Sequence, residues 1–214
     1  MPEIKQINTP TKAELTRERI LQAAERAFAR RGLRGTRVRE IADEAGVNGA
    51  TLYTYYPDKR RLYEAVLERG MRPVLDLMDE FAAGRGGAEA GEHLLDAVMQ
   101  HLAQHPQLPR LIYLETISEG SQLSHIARRW LHPLLEQVLG ALKGGDRGAH
   151  WEESLYPLVA TAFIQLTFGH FALAPLMAEI FHRDPLAPEW IEQQTNFIRK
   201  LIQQMFSPDW EANA

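Results

Sequence analysis

Cysteine is absent from the 214-residue sequence. This absence excludes disulfide bonds, thiol catalysis, and zinc or iron–sulfur sites built on cysteine ligands. The sequence also shows no glycine-rich phosphate loop and no nucleophile motif. Residues 1–10 are polar and lack the apolar run of a secretory signal, which predicts a cytoplasmic location.

Long hydrophobic runs are also scarce, and the one that approaches membrane length is Leu158 to Ala174. It falls short of the ~20 apolar residues that a bilayer requires, and it carries Gln165, Thr167 and His170. A helix that is apolar on all sides more often lies in a protein core or an oligomer interface. We therefore expect no membrane association.

The formal net charge of −4 hides an asymmetry along the chain. Residues 1–70 contain 14 Lys and Arg against 10 Asp and Glu, and the remainder contains 10 against 18. A basic N-terminal part on an acidic body is typical of proteins that bind nucleic acid through one domain.

The apolar spacing predicts helices throughout, and no segment keeps the period-two alternation of a strand. Thr11 and Glu14 match a capping box for the first helix, and Thr36 is the expected N-cap of the second. Asn48 and Asp58 are the expected N-caps of the third and fourth helices. Later helices are predicted at 88–104, 107–119, 121–143, 153–181 and 187–206, which makes the fold class all-α.

Residues 36–62 read TRVREIADEAGVNGATLYTYYPDKRRL and predict a helix-turn-helix. Gly46 suits the left-handed position after a helix, while Ile41, Ala42, Val47 and Leu52 would pack together and fix the angle between the two helices. The outward residues of the third helix are short or polar, which suits the major groove of DNA.

This segment resembles the TetR family of bacterial transcriptional regulators. The matching residues are Ile41-Ala42, Ala45-Gly46-Val47, Thr51-Leu52-Tyr53, Tyr55-Tyr56, Lys59 and Leu62. The resemblance implies a homodimer with a helix-turn-helix DNA-binding domain at residues 1–58, in which residues 1–10 form a flexible arm. Residues 59–214 would form a helical domain for ligand binding and dimerisation. The implied partners are double-stranded operator DNA, a second copy of the chain and a small-molecule effector. The resemblance also implies that the protein is not an enzyme and needs no cofactor.

The resemblance also implies individual DNA contacts. Phosphate contacts are implied for Thr36, Arg37 and Lys59. Six further residues would open the third helix or face the DNA: Asn48, Gly49, Ala50, Thr51, Tyr53 and Tyr55. Leu52 and Tyr56 should be core. Tyr56 stands where the family commonly has phenylalanine, so its hydroxyl needs a partner.

In the family, two late helices of each subunit form the dimer interface. The matching candidates here are Leu158, Ala162, Leu166, Ile191, Ile198 and Ile202, which could equally fill the subunit's own core. A pocket for a lipophilic or aromatic effector could be lined by Met99, Tyr113, Ile117, Trp130, Leu134, Phe163 and Phe171. These residues could also be plain core.

His101 and His105 share a helix face, but no carboxylate follows at a fitting position, so we expect a solvated helix end and no metal. Two rival functions stay open at this point. One is an enzyme or small-molecule carrier with a vestigial helix-turn-helix, and the other is an architectural DNA-binding protein without an effector.

Overall fold

The computed structural model describes residues 11–83, 90–144 and 152–205. Those ranges are helical and contain no strand, which confirms the all-α prediction. The predicted N-terminal arm, residues 1–10, lies outside them. The described α-helices are α1 (Lys12–Gly35), α2 (Val38–Ala45), α3 (Gly49–Tyr55), α4 (Lys59–Ala82), α5 (Ala90–Gln104), α6 (Gln107–Ile117), α7 (Leu123–Ile126), α8 (His132–Gly144), α9 (Tyr156–Ala172), α10 (Ala174–Phe181) and α11 (Pro188–Met205).

The chain divides into two compact units, residues 1–67 and residues 68–214. The division falls within α4, whose first turns belong to the first unit and whose remainder belongs to the second. The predicted domain boundary before Lys59 stays a prediction.

The first unit is built around α1. Its N-terminus has the predicted capping box, in which Glu14 N donates to the Thr11 hydroxyl over 3.2 Å and Thr11 N donates to the Glu14 carboxylate over 2.7 Å. Ile20 and Phe28 are fully buried on the inner face of α1. The Phe28 ring meets the Tyr63 ring of α4 edge to face, with centroids 5.1 Å apart. The helix breaks at Gly32, whose φ of 68° favours glycine.

Thr36 does not cap α2 as predicted. The N-cap position belongs to Arg37, and the Thr36 hydroxyl bonds back to α1, at 2.8 Å from the carbonyl oxygen of Gly32 and 3.1 Å from that of Ala27. The break at Gly32 leaves α1 carbonyls without a helical partner, and the Thr36 hydroxyl supplies one. Thr36 therefore fixes the junction between α1 and α2.

In the second unit, α9 packs against α5, α6 and α8, while α11 packs against α5. The largest buried side chains of this core include Trp130, Phe171 and Met99. Gly70 permits close contact between α4 and α6, because a Cβ at that position would lie 2.7 Å from Cδ2 of Leu108.

Two of the predicted helices are interrupted. Residues 121–143 contain α7, a π-helical turn at Ala127–Leu131 and then α8. The predicted helix at 153–181 starts with a 3₁₀ turn and breaks at Leu173, where φ is −93° and ψ is 2°. Pro175 explains the second break, because it lacks the N–H that would continue the hydrogen-bond ladder of α9.

Most of the apolar stretch noted in the sequence lies in the helical segment Glu153–Ala172, which has a mean hydropathy of 1.2. Within the described ranges it is the one segment long and apolar enough to cross a membrane, although core helices of soluble proteins meet the same criterion. The structure buries 33% of this segment.

Candidate nucleic-acid interface

The turn between α2 and α3 is fixed by main-chain hydrogen bonds and by packing. Gly46 adopts a φ of 66°, and its N–H donates back to the last turn of α2. Val47 N donates to the Ala42 carbonyl oxygen over 3.0 Å. Ile41 and Leu52 are fully buried, so they hold the two helices at one angle, as the sequence predicted.

The exposed residues of α3 are Gly49, Ala50, Tyr53 and Thr54. The first three of these are predicted DNA contacts. Tyr53 is a large side chain with 51% of its surface exposed. A Cβ added at Gly49 would meet nothing within 4 Å, so that backbone is open to close approach by another molecule. Thr51 and Tyr55 are half-buried and present less surface.

Asn48 caps α3 as predicted, since its Oδ1 accepts from Thr51 N over 2.7 Å. Asp58 caps α4 in the same way, with Oδ1 accepting from Arg61 N over 2.8 Å. Tyr56 is buried as predicted, and its hydroxyl oxygen accepts from Nε of Arg17 over 3.2 Å. Side-chain hydrogen bonds of Asn48 and Asp58 thus fix the starts of α3 and α4, and Arg17 holds the residue that follows α3.

Lys59 opens α4 with its ammonium 2.9 Å from the carbonyl oxygen of Thr36 and 3.5 Å from that of Arg34. An ammonium group has three N–H donors, so these contacts leave capacity for a phosphate oxygen. The Thr36 side chain differs, because it is 1% exposed and its hydroxyl is bonded to α1. The predicted phosphate contact of Thr36 is therefore not supported for its side chain.

Arg34 and Arg37 are exposed beside the start of α2. Neither guanidinium forms an ion pair with a carboxylate in the described ranges, whereas Arg31 is paired with Glu40 over 2.7 Å. Arg37 was predicted as a phosphate contact from the family pattern, whereas Arg34, an equally exposed arginine, was not singled out. Arg34 lies in the arginine-rich run 30–39. The sequence does not show which arginines of this run form ion pairs with carboxylates in the fold.

Glu44 shows how other arginines are neutralised. Arg26 Nε lies 2.6 Å from one of its oxygens, and an Arg30 nitrogen lies 2.7 Å from the other. Burial acts to raise the pKa of Glu44, but the two hydrogen bonds outweigh it and lower the pKa below its ordinary value. Arg26 and Arg30 therefore form ion pairs with a carboxylate that stays ionised.

Residues 20–66, which contain this site, match the family described as "Bacterial regulatory proteins, tetR family". Residues 88–202, more than half of the chain, match "Tetracyclin repressor-like, C-terminal domain". The chain belongs to the TetR family. It is 35% identical over 136 residues to the HTH-type transcriptional repressor SCO4008 of Streptomyces coelicolor, an alignment that covers 63% of this chain and 67% of that protein.

Solved structures show the same fold. HlyIIR, a hemolysin II transcriptional regulator, superposes with a TM-score of 0.58 at 24% identity over 86% of this chain and 99% of its own. GusR of Salmonella enterica gives a TM-score of 0.64 at 19% identity over 93% and 99%. This TetR-family chain is a transcriptional regulator and not an enzyme, as the sequence predicted.

The predicted effector-lining residues are not brought together around one of the cavities described below. Met99, Trp130, Leu134 and Phe171 are buried, and Tyr113 and Phe163 are half-buried. Ile117 is wrong as a lining residue, because it ends α6 with 78% of its surface exposed.

The described residues of the second unit line at least two cavities. One of 190 Å³ lies among α6, α9, α10 and the segment before α11, and Phe171 is its single member of the predicted set. The other is a groove of 410 Å³ between α4 and α5, lined by none of the predicted set. Effector binding by the remaining predicted residues stays a prediction.

The predicted interface residues differ in exposure. Leu158 is 66% exposed on α9, and four others are half-buried: Ala162, Leu166, Ile191 and Ile202. Ile198 is fully buried in the subunit's own core and cannot contact a second copy. The prediction that Ile198 lies in the dimer interface is therefore wrong, because α11 packs against α5 of the same chain and buries this side chain.

His101 is not the solvated residue that was predicted. Its ring is half-buried, and Nε2 lies 2.7 Å from the Gly70 carbonyl oxygen, a distance at which it must donate. The His105 ring lies 4.8 Å from it. In the part of the chain that the structure describes, no three His, Cys, Asp or Glu side chains form a group able to hold a metal ion.

Proposed function

We propose that this TetR-family regulator is a cytoplasmic repressor that binds a palindromic operator as a homodimer and is released by a small lipophilic or aromatic effector. The observation that carries the proposal is the exposed, preformed face of α3, from which Tyr53 projects, together with three cations of the same unit that have no carboxylate ion pair in the described ranges. Short side chains at Gly49 and Ala50 allow the backbone of α3 to approach the edges of bases in a major groove. Tyr53 supplies a hydroxyl to a phosphate or a base edge.

The three cations are Arg34 in the last turn of α1, Arg37 at the N-cap of α2 and Lys59 at the start of α4. Phosphate contacts hold a helix-turn-helix in register on DNA, and cations without a carboxylate partner suit that role. Lys59 is held at the N-terminus of α4, where the helix dipole also favours an anion.

The homodimer is supported by apolar surface on α9 to α11. Exposed large apolar side chains there are Leu158, Leu173, Leu176, Ile180, Phe181 and Phe197. A large apolar surface of this kind is typical of an interface. It also accounts for the apolar segment Glu153–Ala172, of which the single chain buries only 33%.

A dimer places two recognition helices about one DNA turn apart, ~34–36 Å, on a palindromic site. An effector that favours another conformation of the second unit would alter this separation through α4, which contains residues of both units. The coupling must be reciprocal, so operator DNA must weaken effector binding by the same factor.

The test is selection of bound sequences from a random DNA pool at near-physiological salt, with Tyr53→Ala run in parallel. An inverted repeat that wild type enriches and the variant loses supports the proposal. Salt-sensitive binding without any enriched motif would indicate an architectural protein. Absence of DNA binding would contradict the proposal altogether.

A further inference from the structure

The exposed face of α3 carries no charged and no carboxamide side chain. Gly49 and Tyr53, like Ala50 and Thr54, are four positions apart, so these residues share one side of the helix. The sequence from residue 41 to residue 58 contains no Lys, Arg or Gln. Arginine and lysine are the side chains that read guanine in the major groove, and asparagine and glutamine read adenine. The helix itself therefore lacks the groups that recognise a purine by paired hydrogen bonds.

Two polar side chains at this face are already bonded within the chain. Asn48 precedes α3, and its Oδ1 accepts from Thr51 N over 2.7 Å. An asparagine reads adenine when its oxygen and its amide nitrogen both contact the base, so the cap competes for one half of that pair. The Thr54 hydroxyl donates to the Ala50 carbonyl oxygen over 3.1 Å, which uses its single O–H. The groups that α3 offers to a base edge are then mainly apolar, namely the Cβ of Ala50, the Cγ2 methyl of Thr54 and the ring of Tyr53.

We propose that α3 selects its operator through thymine methyl groups, against which the methyl carbons of Ala50 and Thr54 pack in the major groove. Thymine is the one standard DNA base that presents an apolar group there. Both side chains are short, so they reach a base only if the helix lies deep in the groove. A Cβ at Gly49 would meet nothing within 4 Å, and this open space permits that approach. Each operator half-site should therefore contain T·A pairs beneath α3. The inference deepens the proposed DNA binding and rests on it.

A preference for A·T pairs can also come from DNA shape, because A·T tracts narrow the minor groove. Deoxyuridine separates the two causes, since it pairs as thymine does and lacks only the C5 methyl group. The probe is the operator selected from the random pool. It is made as duplexes in which symmetry-related thymines are replaced by deoxyuridine, one pair of positions at a time.

Where α3 meets a thymine, fluorescence anisotropy should show that affinity falls about 4-fold for each methyl removed, or about 16-fold for both half-sites. Cytosine at the same position should also weaken binding. Because 5-methylcytosine returns a methyl group to that place in the major groove, it should restore part of the loss. Selection by shape alone predicts no change with deoxyuridine.

Thr54→Ser tests the protein side of the same contact. Serine keeps the hydroxyl that bonds to Ala50 and removes only the methyl group, so the helix is preserved. The variant should bind the thymine operator about 4-fold more weakly per half-site, and at one position the ratio of thymine to deoxyuridine affinity should approach unity. Thr116→Ser is the matched control, because this exposed threonine of α6 also bonds to the carbonyl oxygen four residues before it, that of Ile112, over 2.9 Å. It should keep the wild-type ratio.

Gly49→Arg tests whether this face of α3 lies on the bases. The added side chain projects into open space, and arginine there should enrich guanine at one position of each half-site. Gly140→Arg changes an exposed position of α8 where a Cβ also meets nothing within 4 Å, and it should select the wild-type operator. Wild-type base preference in Gly49→Arg, or an operator in which no deoxyuridine lowers the affinity, overturns the inference and leaves the repressor intact. A pool that yields no operator removes the repressor and this inference together.

Discussion

The ammonium of Lys59 donates to the main-chain carbonyl oxygen of Thr36 over 2.9 Å. This bond ties the first residue of α4 to the junction between α1 and α2, where Thr36 follows the end of α1. Lys59 is thereby held in one place before any DNA arrives. An ordered cation loses less conformational entropy when it binds a phosphate than a freely rotating one does.

Lys59→Ala should weaken DNA binding equally for all sequences, because a phosphate contact carries no base information. Loss of one contact should reduce the slope of log affinity against log salt by about 1. Binding is measured by fluorescence anisotropy from low to moderate salt, on a selected operator and on a scrambled duplex.

Lys143→Ala is the matched control, since Lys143 is an exposed lysine at the end of α8 in the second unit. It should leave both the affinity and the slope unchanged. A Lys59→Ala variant with the wild-type slope would show that the bond to Thr36 is a structural role only.

Thr36→Val and Arg37→Ala should separate structure from binding. Valine keeps the shape of Thr36 but leaves α1 carbonyl oxygens without their donor, which should lower the free energy of unfolding by about 1–3 kcal/mol. Its salt slope should match wild type. Arg37→Ala should do the opposite, with stability unchanged within about 0.5 kcal/mol and a smaller slope. Urea denaturation and the anisotropy assay measure the two effects, and a reduced slope in Thr36→Val would restore its predicted phosphate contact.

Local signals explain what could be predicted from the sequence. The cap of α1 by Thr11 and the cap of α3 by Asn48 depend on bonds to residues three positions away, so a short window contains both partners. The left-handed turn at Gly46 is equally local. The turn of the helix-turn-helix and the cap of α3 were therefore predicted correctly, whereas the cap of α2 was placed at Thr36, one residue too early.

Distant packing explains what could not be predicted. Ile198 and Leu158 both follow the apolar spacing of a helix. That spacing does not show that Ile198 is buried in α11, which packs on α5, while Leu158 is left exposed. Ile117 fits an apolar pattern, yet it ends a helix and faces outward.

Tyr56→Phe should test a departure from the family pattern, because the Tyr56 hydroxyl has a bonded partner. The variant keeps the buried ring and removes the hydroxyl that accepts from Nε of Arg17 over 3.2 Å. We expect the free energy of unfolding to fall by about 0.5–1.5 kcal/mol, since Arg17 is exposed and water replaces part of the bond. Arg17→Ala combined with Tyr56→Phe completes a double-mutant cycle under urea denaturation. A coupling energy of zero would show that the contact contributes nothing.

Leu158→Glu should weaken the proposed dimer without unfolding the subunit. The side chain is 66% exposed, so the charge costs the single chain little, whereas burial in an interface would strongly disfavour it. Sedimentation velocity should show a shift from dimer to monomer. Leu15→Glu is the matched control, because Leu15 is a 52% exposed leucine on α1. Dimers that persist unchanged in Leu158→Glu would place the interface elsewhere.

His170 should make stability depend on pH. Burial lowers its pKa below 6.5, and the hydrogen bond between Nε2 and the Pro185 carbonyl oxygen, at 3.0 Å, acts in the opposite direction without cancelling the effect. Above pH 6.5 the ring is neutral in both folded and unfolded chains and has no effect on the pH dependence. As the pH falls through 6.5, the unfolded chain takes up the proton first, so the free energy of unfolding decreases until the folded pKa is passed.

Wild type should therefore lose stability between pH 7.5 and 5.5 more steeply than His170→Gln, whose amide can still donate to Pro185 but does not titrate. The measurement is urea denaturation at a fixed protein concentration, because a dimer's stability depends on concentration. His182→Gln removes an exposed histidine from the end of α10 and should keep the wild-type slope. If His170→Gln keeps that slope too, burial of this ring does not govern the acid sensitivity. If its slope becomes shallower while that of His182→Gln does not, the contact between α9 and the segment before α11 is the acid-sensitive point of the second unit.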